Sequence, residues 1–146
     1  MKEKKFSTYQ IVFVAVMAAI VCVVTFFRFP FLGSKVHFAN AMCLLSGMLF
    51  GPVLGGLAAG FGSMLYDALF GGYDLINCLI TFVSKFLMAA ICAWIAFGGK
   101  EDGKGKHARL VVGSVIGALS YVALYMLKTY IFQRFVNGYP IDAVVV

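Results

Sequence analysis

Three charged side chains lie inside otherwise apolar runs of this chain: Asp67, Lys85 and Lys128. A charge in hydrocarbon is costly, so such residues face a cavity, a partner or one another and mark functional positions. Lys85 shares its run with Asn77, Thr81 and Ser84. Asn77, Thr81 and Lys85 fall at i, i+4 and i+8, which places them on one helix face. Ammonium and amide donors beside a carboxylate and a hydroxyl can hold a polar small molecule by hydrogen bonds in a largely apolar pocket. The competing reading is a structural Asp–Lys pair, with the lysine stems reaching toward water. The two lysines suit an anionic or carbonyl-bearing ligand, unless Asp67 neutralises one of them.

Signals for catalysis are poor. His37 is the only histidine near an apolar run, and no nucleophile–base pair can be assembled. Cys22, Cys43, Cys78 and Cys92 all lie within apolar runs and form no C-x-x-C pair, so they read as small buried residues rather than metal or redox ligands. Gly98 to Lys104 reads G-x-x-x-x-G-K, but Gly105 stands where a phosphate-binding loop needs Ser or Thr, and no strand precedes it. The expectation is a chain that is not an enzyme, has no metal site and holds no cofactor. Any energy from nucleotide hydrolysis would come from another subunit.

The elements that carry these residues are membrane helices. Of the 146 residues, 62% are hydrophobic and 12% charged, and the mean hydropathy is +0.96. A soluble domain is about a quarter charged, so lipid must solvate most of this surface. A spanning helix needs about 20 mostly apolar residues. Such runs occupy about 9–27, 36–50, 52–70, 75–97 and 110–135, and the first of them, with no cleavage site after it, reads as a retained helix rather than a signal peptide. Gly51-Pro52 divides the second from the third, since proline lacks an N–H and suits the first turn of a new helix. The predicted fold is all-α and integral to the membrane: one domain over 1–146, with five visible transmembrane helices. The apolar ending AVVV reads as the start of a sixth.

The net charge of +6 fits topology rather than a nucleic-acid partner, because no soluble basic face exists to dock one. Lys2, Lys4, Lys5, Lys100, Lys104, Lys106 and Arg109 fall on one side of the membrane; Arg28, Lys35 and Arg134 fall on the other. The positive-inside rule therefore predicts a multi-pass protein of the cell membrane with a cytoplasmic N-terminus. On that orientation the buried polar groups gather in the outer half. Small residues recur every four positions at Gly51, Gly55, Ala59 and Ser63, and again at Gly113 and Gly117, a spacing that lets membrane helices approach closely. Ala15 and Ala19 form a similar pair in the first helix, which reads either as ordinary packing or as a smooth docking stripe. Aromatics crowd the outer ends, as an interfacial belt does, and a few of them could stack on a flat ring.

The stretch HFANAMCLLSGMLFGPVLGGLAAGFGSMLYDALFGG, with its GP turn, glycine-rich helix and closing G-S-x-x-x-D, resembles the substrate-binding S components of energy-coupling factor (ECF) vitamin transporters. The following INCLITFVSKFLMA resembles that family's fourth helix with its central lysine. The resemblance is good over about 30–97 and looser in the first and fifth helices. It implies a six-helix bundle that captures a water-soluble vitamin or precursor from outside and works with a coupling membrane subunit and two ATPases. Family pockets lie in the outer half, where Asp67, Asn77, Thr81, Lys85 and Lys128 fall or border here. Ala15 and Ala19 match the family's docking surface for the coupling subunit. The departure is length, since a pocket without a sixth helix would lack a wall. The alternative function is an autonomous small transporter or channel that needs no ATPase.

Overall fold

The computed structural model describes residues 7–31, 34–98 and 106–135. The N-terminal lysines, Lys100, Lys104, the 136–140 turn and the expected opening of a sixth helix lie outside the described residues.

Helix α1 spans Thr8–Val24. At its start the Ser7 N–H donates to Gln10 Oε1 at 3.1 Å, the backbone half of a capping box. A short hairpin follows, β1 Arg28–Phe31 and β2 Ser34–His37, antiparallel with Arg28 opposite His37 and Phe31 opposite Ser34. Helix α2 spans Ala39–Tyr66 and runs into a π-helical turn, Asp67–Gly71. Helix α3 spans Leu75–Phe97, and α4 spans Lys106–Phe135.

Two glycines shape this path. Gly51 has φ 80° and ψ −178° in the middle of α2, a conformation open to glycine but strained for other residues. The chain folds back there. Ser46 Oγ lies 3.0 Å from Gly55 O, and Cys43 Sγ lies 3.8 Å from Ser63 Oγ; in one straight helix residues 43 and 63 would be about 30 Å apart. α2 is thus two antiparallel arms, residues 39–50 and 52–66, joined at Gly51-Pro52. Gly72, at φ 62°, closes the π turn and releases the chain toward Asp74 and α3.

Three corrections to the predicted boundaries follow. Residues 36–37 are strand rather than helix, because Val36 and His37 pair with Phe29 and Arg28, and an apolar average cannot tell a paired strand from a helix. The first helix stops at Val24, not residue 27, because the chain must turn to enter the hairpin. α4 begins at Lys106, not 110: apolarity locates the lipid boundary, while hydrogen bonding carries the helix a turn beyond it.

The rods pack serially. Ala18 and Val21 of α1 meet Gly62 of the second arm; Gly56 and Gly60 of that arm meet Phe86 and Phe82 of α3. Gly47 of the first arm lies against the Ala89 backbone, and Gly113 and Gly117 bring α4 against Cys92 and Met88. Val21, Cys43, Ala59, Met88 and Ala89 form the buried centre, with Met42, Leu44 and Tyr121 packed around it. Outward-facing residues are as apolar as the core: Val111, Leu119, Met126 and Trp94 are all more than half exposed. Monomeric soluble proteins rarely expose contiguous apolar surface on this scale, and Leu75–Phe97 and His107–Ile131 are single helices long and apolar enough to cross a bilayer. The chain is an all-α, multi-pass membrane protein whose described strands form only the small hairpin. Residues 39–50 rise just about 18 Å, short of the roughly 30 Å hydrocarbon layer, so the first arm reaches bilayer thickness only together with the hairpin above it.

Candidate functional site

Lys85 is the centre of the polar interior. It lies ten residues into α3, about 15 Å from the hairpin end of that helix, and is 5% exposed. Its stem points toward the hairpin end, where Nζ donates to Asn40 Oδ1 in the first turn of α2. The ammonium also lies 3.9 Å from the centroid of the Tyr121 ring on α4, within cation–π range. Two helices and the polar start of a third therefore meet on one buried charge. Asp67, at the start of the π-helical turn, lies one turn outward of Ser63, as Asn40 lies one turn outward of Cys43.

Hydroxyl groups line the floor. Ser63 Oγ and Cys43 Sγ meet across the arms of α2, and Ser46 Oγ donates to Cys43 O at 2.7 Å. Ser46 Oγ is bound to the bundle's own backbone and Ser63 Oγ meets the Cys43 thiol, so both secure the arms. Ser84 likewise donates to Ile80 O at 2.8 Å.

The predicted residues separate into groups. Lys85 is joined to Asn40 and Tyr121, and Asp67 stands at the level of Asn40, one turn outward from the Cys43–Ser63 contact. Asn77 and Thr81 stay half-buried, two turns and one turn from Lys85 toward the hairpin end on the same α3 face. Lys128 is placed elsewhere. It lines a groove of about 410 Å³ between α3 and α4, with Leu79, Ile80, Ser84, Leu124 and Leu127 among its walls. Small-molecule sites run about 300–1,000 Å³, so the groove has adequate volume, though its lining is nearly all apolar. At the hairpin end Phe26, Tyr66 and Phe70 pack on one another, with centroids 5.0 Å apart for Phe26–Tyr66 and 4.8 Å for Phe26–Phe70.

Sequence reasoning missed Asn40 and Tyr121. Asn40 had a usable signal as the only carboxamide in the second apolar run. Tyr121 had none, because nothing in the order of residues says which of many aromatics faces a given lysine. Chemically, the cluster can bind and orient a ligand by hydrogen bonding and charge. Among the described residues, no group of three His, Cys, Asp or Glu side chains is placed to hold a metal ion.

On α1 the buried face is Met17, Ala18 and Val21, while Ala15 and Ala19 are exposed. Ala19 lies in a shallow depression of about 340 Å³ with Val16, Ile20, Val23 and Val24.

Comparison with known proteins adds three findings. The family model described as ECF-type riboflavin transporter, S component, matches residues 5–146. A protein of Pyrococcus woesei, described as an uncharacterized protein in a gap 3′ region, is 32% identical over 106 residues, covering 71% of this chain. The matched region spans 66% of that relative's length. No solved structure matches the chain.

Proposed function

This chain belongs to the family of ECF-type riboflavin transporter S components, and we propose on that premise that it is the subunit that captures riboflavin outside the cell and delivers it to an ECF transport complex. The observation that carries the reading is the buried Lys85 ammonium held by Asn40 and Tyr121. Desolvating an ammonium costs several kcal/mol, and a bundle that only needed to stay folded would do better with an apolar residue there. A ligand-binding role accounts for that cost.

Orientation follows from charge. The basic N-terminus and the 98–109 segment face the cytoplasm, so the hairpin, the π turn and the start of α3 face outward. A vitamin entering from that side meets the polar groups first. Asn77 and Thr81 line its approach, and Lys128 guards the neighbouring groove. The chain holds no cofactor of its own; transport energy comes from two ATPase subunits acting through a coupling membrane subunit.

Purified protein in detergent should quench riboflavin fluorescence with submicromolar affinity. Absence of saturable binding in monodisperse protein would overturn the reading. Uptake by vesicles that contain this chain alone would favour the autonomous transporter instead.

The exposed Ala15–Ala19 stripe suits a docking surface for the coupling subunit, because small side chains let a partner helix approach closely. Ala15→Trp combined with Ala19→Trp should abolish riboflavin uptake in cells while purified protein still binds riboflavin. These side chains point away from the bundle, so the change leaves its packing alone. Unimpaired uptake by the double variant would refute the docking role.

A further inference from the structure

The Lys85 site contains a cation and an anion, and helix geometry sets their level. Cys43 and Ser63 meet across the antiparallel arms of α2. One turn outward from that pair stand Asn40 on the first arm and Asp67 just past the second. Lys85 Nζ reaches this same level, donating to Asn40 Oδ1 with the Tyr121 ring beside it. Asp67 is half-buried and sits in a π-helical turn, a rare form found disproportionately at functional sites. An ammonium has three N–H donors. Asn40 takes one and the Tyr121 ring faces another, and among the described residues no acceptor is recorded for the third.

We propose that Asp67 is a specificity-determining residue: it offsets the Lys85 charge, so that the site accepts a neutral ligand offering a hydrogen-bond acceptor and rejects an anionic one. This rests on the proposed flavin-binding role and deepens it. A lone buried ammonium would favour a carboxylate or phosphate over a neutral carbonyl, since charge-assisted hydrogen bonds are about twice as strong as neutral ones. With Asp67 beside it, an incoming anion meets like charge as well as opposite charge, and like-charge juxtaposition is strongly disfavoured. Lys128 lines the α3–α4 groove, two turns along α4 from Tyr121.

The test compares riboflavin with two anionic analogues: riboflavin 5′-phosphate, charged at the ribityl end, and 3-carboxymethylriboflavin, charged at the ring. Together they cover either orientation of the flavin. Affinities are measured by fluorescence quenching on monodisperse wild-type, Asp67→Asn and Asp67→Ser proteins. The expected result is that the affinity for at least one anionic analogue, relative to riboflavin, rises about tenfold or more in both variants. Adding Lys85→Met to Asp67→Asn should abolish the rise. Unchanged ratios for both analogues would overturn the proposal. So would monodisperse variants that bind no flavin, because Asp67 would then hold the site together rather than select charge. A wild-type protein that binds none of the three flavins is a distinguishable failure: it overturns the parent reading and this inference with it.

Discussion

Lys85→Met should weaken riboflavin binding by about 10- to 150-fold, the range expected for loss of a hydrogen bond to a charged group of 1.5–3 kcal/mol, and combined with Asp67→Asn it should leave the bundle about as stable as before. The two halves of this expectation have one cause. Lys85 is 5% exposed inside an apolar bundle, and replacing a whole buried charge pair by uncharged side chains is often neutral or stabilising, whereas removing one partner alone leaves the other charge uncompensated. Methionine fills the stem's path and adapts to its neighbours. The variant orphans the Asn40 carboxamide and leaves Asp67 without its counter-charge, which sets the limit on any gain in stability. Pairing Lys85→Met with Asp67→Asn removes that limit. The measurements are a thermal unfolding curve in detergent and a riboflavin titration on the same preparation. A variant that melts early yet binds normally would identify Lys85 as a structural pin and remove it from the site.

The second large effect concerns Gly55. A Cβ there would lie 2.3 Å from Ser46 O and 2.6 Å from Gly47 Cα. Both obstacles are backbone of the facing arm, so no rotamer change relieves the clash. Gly55→Leu should cost at least about 3 kcal/mol, the upper end for overpacking, and it would part Ser46 Oγ from Gly55 O, which lie 3.0 Å apart in the native bundle. Loss of the monodisperse peak and a collapsed melting temperature are the expected readouts. Gly56→Ala is the contrast. Its Cβ would meet the Phe86 ring edge at 2.8 Å, and a ring can turn, so that substitution should be clearly milder. Equal damage from Gly55→Ala and Gly56→Ala would argue against the folded-back arms.

These neighbouring glycines illustrate what the linear pattern could and could not say. A four-residue period of small side chains marks a close-packing face, and the face is there. Which member touches backbone and which touches a movable ring depends on the partner helix, and a period carries no information about the partner. The same holds for Ala15, Ala18 and Ala19. All three read alike in sequence, yet Ala18 is buried against Gly62 while Ala15 and Ala19 look outward.

Long apolar runs were the most legible feature. The run 75–97 coincides with α3 because Gly72 and Asp74 break the pattern on one side and Gly98 on the other, and because a helix in lipid must satisfy its own hydrogen bonds from end to end. The hairpin at 28–37 was not legible. Its strands are four residues each, too short for a period-two signal, and their pairing is a contact between segments. The split at Gly51 and the turn back into the next helix were legible, since glycine followed by proline is a local conformational instruction; which residues the two arms bring together was not.

Sequence alone determined that this chain lives in lipid, where its helices break, and that Asp67 and Lys85 are charges held at a cost. Those are properties of single residues and local runs, set by transfer free energy and backbone sterics. Only the tertiary structure decided that Lys85 meets Asn40 and Tyr121 and that Lys128 lines a groove between α3 and α4. The reason is physical: a charge in a low-dielectric interior is defined by its neighbours, and those neighbours come from four helical segments that only packing brings together.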